Sequence, residues 1–165
     1  ALKPYEENNE YKALLKLING QSWDENIDES LILFLLQNII LYKKFEVCSV
    51  ILKNIEQLKG RILSKIAAIL YSNSFKVEAL QLYDKGDWNY FDEQDFINII
   101  NSLIETKNID SAMQIANYAI MTYENDFRFY TYILEHSKDS LLIESIYKKA
   151  SEVFKGSYYL MELML

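Results

Sequence analysis

The sequence predicts an all-α fold, a right-handed superhelix (α-solenoid) of antiparallel helix hairpins with about ten helices. Three observations predict it. Apolar residues recur at helical rather than alternating spacing along nearly the whole chain. The 165 residues include only four Gly and one Pro, too few turn-formers for a many-stranded sandwich or barrel. Small side chains also return at a near-constant separation, the signature of stacked repeats.

The elements follow in order from where the apolar runs break at Gly, Asn, Asp and Ser. Helices are expected at 5–19, 29–43, 45–58, 60–72, 75–86, 92–106, 109–123, 126–136, 139–154 and 157 to the end. All four glycines, Gly20, Gly60, Gly86 and Gly156, sit at expected helix ends, where a residue without Cβ can adopt the left-handed conformation that closes a helix. Asp92 with Asp95 reads as a capping box, Asn108 precedes Ile109, and Ser137 to Asp139 precede another apolar run. Connections this short force consecutive helices into antiparallel hairpins. The longest apolar stretch, Leu31 to Tyr42, has twelve residues where a bilayer span needs roughly 20, so it reads as a buried helix.

The period is carried by Ala13, Cys48, Ala79, Ala112 and Ile143, separated by 35, 31, 33 and 31 residues. A second column, Gly20, Ile55, Gly86, Ala119 and Ala150, follows seven residues after each. Two helical turns separate the columns, so both face one neighbour, and small side chains there let backbones approach closely. The first helix of each hairpin carries one apolar stripe: Ile32, Leu35, Ile39; Leu63, Ile66, Leu70; Phe96, Ile99, Leu103; Phe127, Tyr130, Leu134. The chain is read as one domain, 1–165, within a longer solenoid.

Hairpins at this spacing with two small-residue columns resemble tetratricopeptide (TPR) repeats, most plainly AILYSNSFKVEALQLYDKG (68–86) and SLIETKNIDSAMQIANYAI (102–120). Ala67 alone matches the family's small residue in the middle of the first helix. The segment 127–154, with Phe127, Tyr130, Tyr147, Lys149 and Ala150, also resembles half-a-TPR (HAT) repeats, whose proteins are scaffolds in RNA processing. The resemblance implies a non-catalytic scaffold that presents a concave surface lined by first helices. Its groove positions, carried over by offset, are Gln37; Arg61, Ser64, Lys65 and Tyr71; Gln94, Asn98, Asn101 and Glu105; and Arg128, Tyr132 and His136. This polar, mildly basic and aromatic set suits a peptide with backbone amides to pair and some acidic character. A HAT-like subunit of an RNA-processing complex is the alternative.

Chemistry-bearing residues are scarce. One Cys and one His allow no internal disulfide and no Cys- or His-rich metal site, and no cofactor is expected. Cys48 reads as a small buried residue of the repeat column, and His136 with Ser137 as a helix end followed by a cap. The stretch Asp84 to Asp95 fails as a calcium loop, because Gly86 and Trp88 stand where oxygen ligands belong. It reads as an inter-repeat loop pinning Trp88, Tyr90 and Phe91. No nucleophile elbow, phosphate loop or metalloprotease motif is present, so no enzyme is expected.

The net charge of −7 is the wrong sign for phosphate-driven binding, so direct nucleic-acid contact is not expected. The expected partner is a protein or peptide, and no membrane span is expected. The apolar tail GSYYLMELML is expected to need cover, from further repeats beyond Leu165 or from self-association. The composition fits a cytoplasmic protein, with nuclear or extracytoplasmic residence as alternatives.

Overall fold

The computed structural model describes residues 4–21, 28–42, 53–54 and 57–155. Among them stand eight α-helices and no strand. They are α1 (Pro4–Asn19), α2 (Glu29–Tyr42), α3 (Arg61–Ser72), α4 (Lys76–Lys85), α5 (Glu93–Glu105), α6 (Ile109–Thr122), α7 (Phe127–His136) and α8 (Ser140–Val153), with a single 3-10 turn at Trp88–Tyr90. The helices expected at 45–58 and from 157 onward lie outside the described residues apart from a few positions. Each of the other eight is found within one residue of its expected bounds at either end. The flanking residues, such as Asp92 and Asp126, turn out to be caps rather than helix.

The chain divides into two compact units, residues 1–91 and 92–165. In the first, α1 packs on α2, α2 on α3, and α3 on α4. In the second, each of α5 to α8 packs on the next. The expected stripe lies mostly in the core, with the side chain of Ile39 outside the described residues. Ile32, Leu35, Leu63, Ile66, Leu70, Phe96, Ile99, Leu103 and Tyr130 are buried, while Phe127 and Leu134 are half-buried. Each such side chain contributes roughly 1.5–3 kcal/mol on removal from water, which is why a stripe at helical spacing suffices to fix which face turns inward. Ala79, Ala112, Ala119 and Ala150 are fully buried as the column requires. Ala13 and Gly20 are exposed, so the column does not extend to α1.

Three hairpins, α3–α4, α5–α6 and α7–α8, are each joined by three residues. The first two connections close identically. The Ser74 N–H donates to the Tyr71 carbonyl at 3.0 Å and the Phe75 N–H to the Leu70 carbonyl at 2.9 Å. In the second of these hairpins the Lys107 N–H donates to the Ile104 carbonyl at 2.9 Å and the Asn108 N–H to the Leu103 carbonyl at 2.8 Å. These are Schellman closures, and they place Ser74 (φ 72°) and Lys107 (φ 62°) in the left-handed region. The expectation that the glycines would supply that conformation is corrected: only Gly60 (φ 61°) does so among those described. Gly86 is extended, and its missing Cβ serves a close approach to Phe91 instead. In the third hairpin the Asp139 carboxylate caps α8 by accepting from the Leu141 and Leu142 N–H groups at 3.0 and 3.2 Å.

A left-handed residue with a Cβ is disfavoured by about 1–2 kcal/mol. Lys107 is exposed, so glycine there removes that cost and loses no packing. Lys107→Gly is therefore expected to stabilise the chain by about 1 kcal/mol in urea titration, offset in part by glycine's greater freedom when unfolded.

Aromatic contacts tie each hairpin together. Phe91 meets Tyr83 edge-on with ring centroids 5.4 Å apart, and Phe96 sits against Tyr118 and Tyr123 at 5.8 and 6.0 Å. Phe154 meets Phe127 and Tyr130 edge-on at 5.1 and 5.3 Å. The Tyr130 hydroxyl is buried and has no hydrogen-bond partner among the described residues. Leaving such a group dry costs about 1–3 kcal/mol. Tyr130→Phe keeps the ring against Phe154, so a gain of about 1 kcal/mol is expected, read as a higher midpoint with an unchanged denaturant slope.

Candidate functional site

Of the twelve residues expected to form a groove, five fall in the first unit and seven in the second. In the first unit Gln37 is exposed on α2 and Arg61 is exposed as the first residue of α3. Lys65 is half-buried, and its ammonium donates to the Glu29 carboxylate across α2 and α3 at 3.2 Å. The Tyr71 ring lies 5.6 Å from the Lys76 ammonium, a cation–π distance. Ser64, by contrast, is buried and turned back on the Arg61 carbonyl at 3.0 Å, so it is corrected from groove to core.

In the second unit the first helices α5 and α7 are bridged twice. The Arg128 guanidinium on α7 pairs with Glu93 on α5, and the Tyr132 hydroxyl donates to the Asn101 side-chain carbonyl at 2.8 Å. Asn101, Arg128 and Tyr132 thus share one face. Asn98 does not join it as expected: it is 4% exposed, and its side-chain carbonyl accepts from Gln94 at 2.9 Å. The exposed amide is therefore Gln94, with Asn98 beneath it. Glu105 is exposed and His136 half-buried at the far end of the same two helices.

Sequence reasoning passed over Glu93 and Asp126. The Asp126 carboxylate caps α7 by accepting from the Arg128 N–H at 3.0 Å, and the Arg128 side chain returns to it at 2.7 Å. The signal was available. Glu93 lies 35 residues before Arg128 and Glu29 lies 36 before Lys65, so both are opposite charges at nearly the same separation in sequence. Both pairs are too exposed to be worth more than about 1 kcal/mol.

The electrostatics of this cluster have a definite sign. The hydrogen bond with Asp126 pushes the Glu93 carboxyl above its ordinary range, helped by burial and by the Asp126 charge and opposed by Arg128. Burial works against the Asp126 carboxylate, but hydrogen bonds from Arg128 and Glu93 outweigh it and hold its pKa low. Arg128 is held charged, first by its bond to Asp126. A raised carboxyl pKa means that the fold favours protonated Glu93 and loses stability as pH rises through that pKa. Asp126 acts oppositely, stabilising above the ordinary Asp range and losing its contribution as pH falls through its lowered pKa. Glu93→Gln keeps an acceptor for Arg128 and removes the like charge facing Asp126. The variant is expected to melt higher than the parent near neutral pH, with the gap closing as pH falls through the raised Glu93 pKa and gone below about 4.3, the ordinary Glu value.

A cleft of about 640 Å³ opens between the N-terminal ends of α6 and α8, lined by Lys107, Asn108, Gln114, Asn117 and Lys138 among others. The hydroxyl in it, Ser137, accepts from the Asp139 N–H at 3.1 Å, and the cap of α8 expected of Ser137 is corrected to Asp139. Asp87 likewise acts as a local cap in the former calcium-loop candidate, accepting from the Asn89 N–H at 2.9 Å. Phe91 is buried beneath that loop, Trp88 half-buried, and Tyr90 is 51% exposed. Among the described residues no group of three or more His, Cys, Asp or Glu could hold a metal ion. Nor is any described helix long and apolar enough to cross a membrane. Compared with protein-family models and with curated proteins, the sequence matches none.

Proposed function

We propose that the chain is a TPR-like helical-repeat protein that works without catalysis, stacking its hairpins as a right-handed solenoid and offering its first helices to a protein or peptide partner. The observation that carries this reading is the double bridge between α5 and α7, Arg128 to Glu93 and Tyr132 to Asn101. First helices of successive hairpins joined at their N-terminal ends and again in mid-helix present one continuous polar face, on which Gln94 and the amide of Asn101 can pair with a peptide backbone while Arg128 meets an acidic side chain. The repeated three-residue connection with the same closure at Ser74 and Lys107 supports the repeat itself. A HAT-like subunit of an RNA-processing complex is the second reading, favoured by the edge-on packing of Phe127 and Tyr130 against Phe154 in the last hairpin. In either reading the chain contacts protein rather than nucleic acid, needs no cofactor, and resides in the cytoplasm or, for the second, the nucleus.

The test is the triple variant Arg61→Ala, Asn101→Ala, Arg128→Ala. It should lose the proteins that the parent captures from cell extract while its helicity by circular dichroism stays the same. Capture that survives would move the site to the second helices or to residues 156–165. Captured RNA-processing subunits would select the second reading, and tight binding of single-stranded RNA at physiological salt would overturn the inference from charge.

A further inference from the structure

We propose that Asn19–Gly20 is a self-modification site, at which the chain converts Asn19 to aspartate and isoaspartate, and that the last turn of α1 sets the rate. The chain has a single Asn-Gly pair. Asn19 is the last residue of α1 and exposed, and Gly20, also exposed, presents a backbone nitrogen with no Cβ to shield it. In the reaction the deprotonated Gly20 nitrogen attacks Cγ of Asn19. An N–Cγ bond forms, the Cγ–Nδ2 bond breaks, and ammonia leaves a five-membered succinimide. Water then adds at either carbonyl, giving aspartate or isoaspartate with no oxidant or reductant.

The fold controls the first step. The Gly20 N–H is held by the Lys16 and Leu17 carbonyls at 3.1 and 3.2 Å, and the Gln21 side chain adds a bond to Leu17 at 3.0 Å. Attack requires that turn to open, a local event at a helix end. The two described asparagines followed by serine are held more firmly. Asn73, followed by Ser74, donates its side-chain amide to the Ile69 carbonyl at 2.8 Å, and Asn101, followed by Ser102, is held by Tyr132 in mid-helix. The product matters to the fold because a new carboxylate at a helix C-terminus opposes the helix dipole. Isoaspartate also lengthens the backbone by one carbon next to Ile18, the 1%-exposed anchor of α1. Conversion therefore loosens α1.

The full chain is incubated at neutral pH and physiological temperature and mapped by peptide mass, beside a free peptide of residues 13–23. Asn19 should gain about one mass unit before any other asparagine, several-fold more slowly than in the free peptide. Gly20→Ala should stop the conversion without loss of helicity, because the added Cβ meets only the Lys16 and Leu17 carbonyl oxygens at 3.4 and 3.6 Å, ordinary contact. Three outcomes would each overturn the proposal: Asn19 intact once the peptide has converted, conversion as fast as in the peptide, or Asn73 converting first.

Discussion

Phe96→Ala is expected to destabilise the chain by about 3–5 kcal/mol, the largest single effect foreseen. Phe96 is 1% exposed and its ring is shared by two aromatic neighbours, Tyr118 on α6 and Tyr123 in the connection that follows it. Tyr123 in turn leans on Phe129 of α7 at 6.0 Å, so one ring of α5 braces the packing of three helices. Truncation removes the transfer energy of a phenyl group and leaves a cavity that three tethered helices cannot readily collapse. Total stabilities of ordinary domains are about 5–15 kcal/mol, so the loss would bring part of the unit comprising residues 92–165 near its unfolding midpoint. Phe127, the counterpart of Phe96 in the next hairpin, is half-buried. Phe127→Ala should cost clearly less. Equal costs in urea titration would mean that the burial of Phe96 does not set its contribution.

Phe96 also marks how much of the molecule the sequence reveals. The stripe at i, i+3 and i+7 is legible because helical spacing alone decides which side chains share a face. The capping box is legible because it needs only Asp92 and Asp95 at the right separation, and both of its bonds form at 3.0 Å. Asn98 is where that reasoning stops. It is polar and lies off the stripe, which reads as solvent-facing. Yet Ile97, Asn98, Ile99 and Ile100 are all buried, so α5 is covered on more than one side. Polarity at a position says nothing of whether a neighbouring helix covers it. The bridge from Tyr132 to Asn101 was hidden for a related reason: it depends on the register between first helices, which no single helix encodes and no charge pairing marks. The left-handed Ser74 and Lys107 were missed because glycine is the usual signal, and here tertiary packing of the hairpins overrides the local preference.

Gly86 supplies the second large effect, because its role differs from what its place at a helix end implies. Its backbone is extended (φ −78°), a conformation open to any residue, so strain plays no part in the choice of glycine. Space does. A Cβ at this position would lie 2.6 Å from two ring carbons of Phe91 and 3.3 Å from the Tyr83 carbonyl oxygen. The ring cannot yield freely, since Phe91 is 6% exposed and packed edge-on against Tyr83. Gly86→Ala is therefore expected to cost about 1–3 kcal/mol, the range for overpacking a filled core. Gly20→Ala, where the same added carbon makes only ordinary contacts, should be neutral or stabilising through the reduced freedom of the unfolded chain. The two substitutions are chemically the same, so the difference isolates the contact with Phe91. A double-mutant cycle with Phe91→Leu completes the test: the smaller, adaptable side chain should relieve most of the penalty at position 86, leaving a coupling of about 1 kcal/mol or more. Strictly additive costs would show that Gly86 is required by the chain path alone.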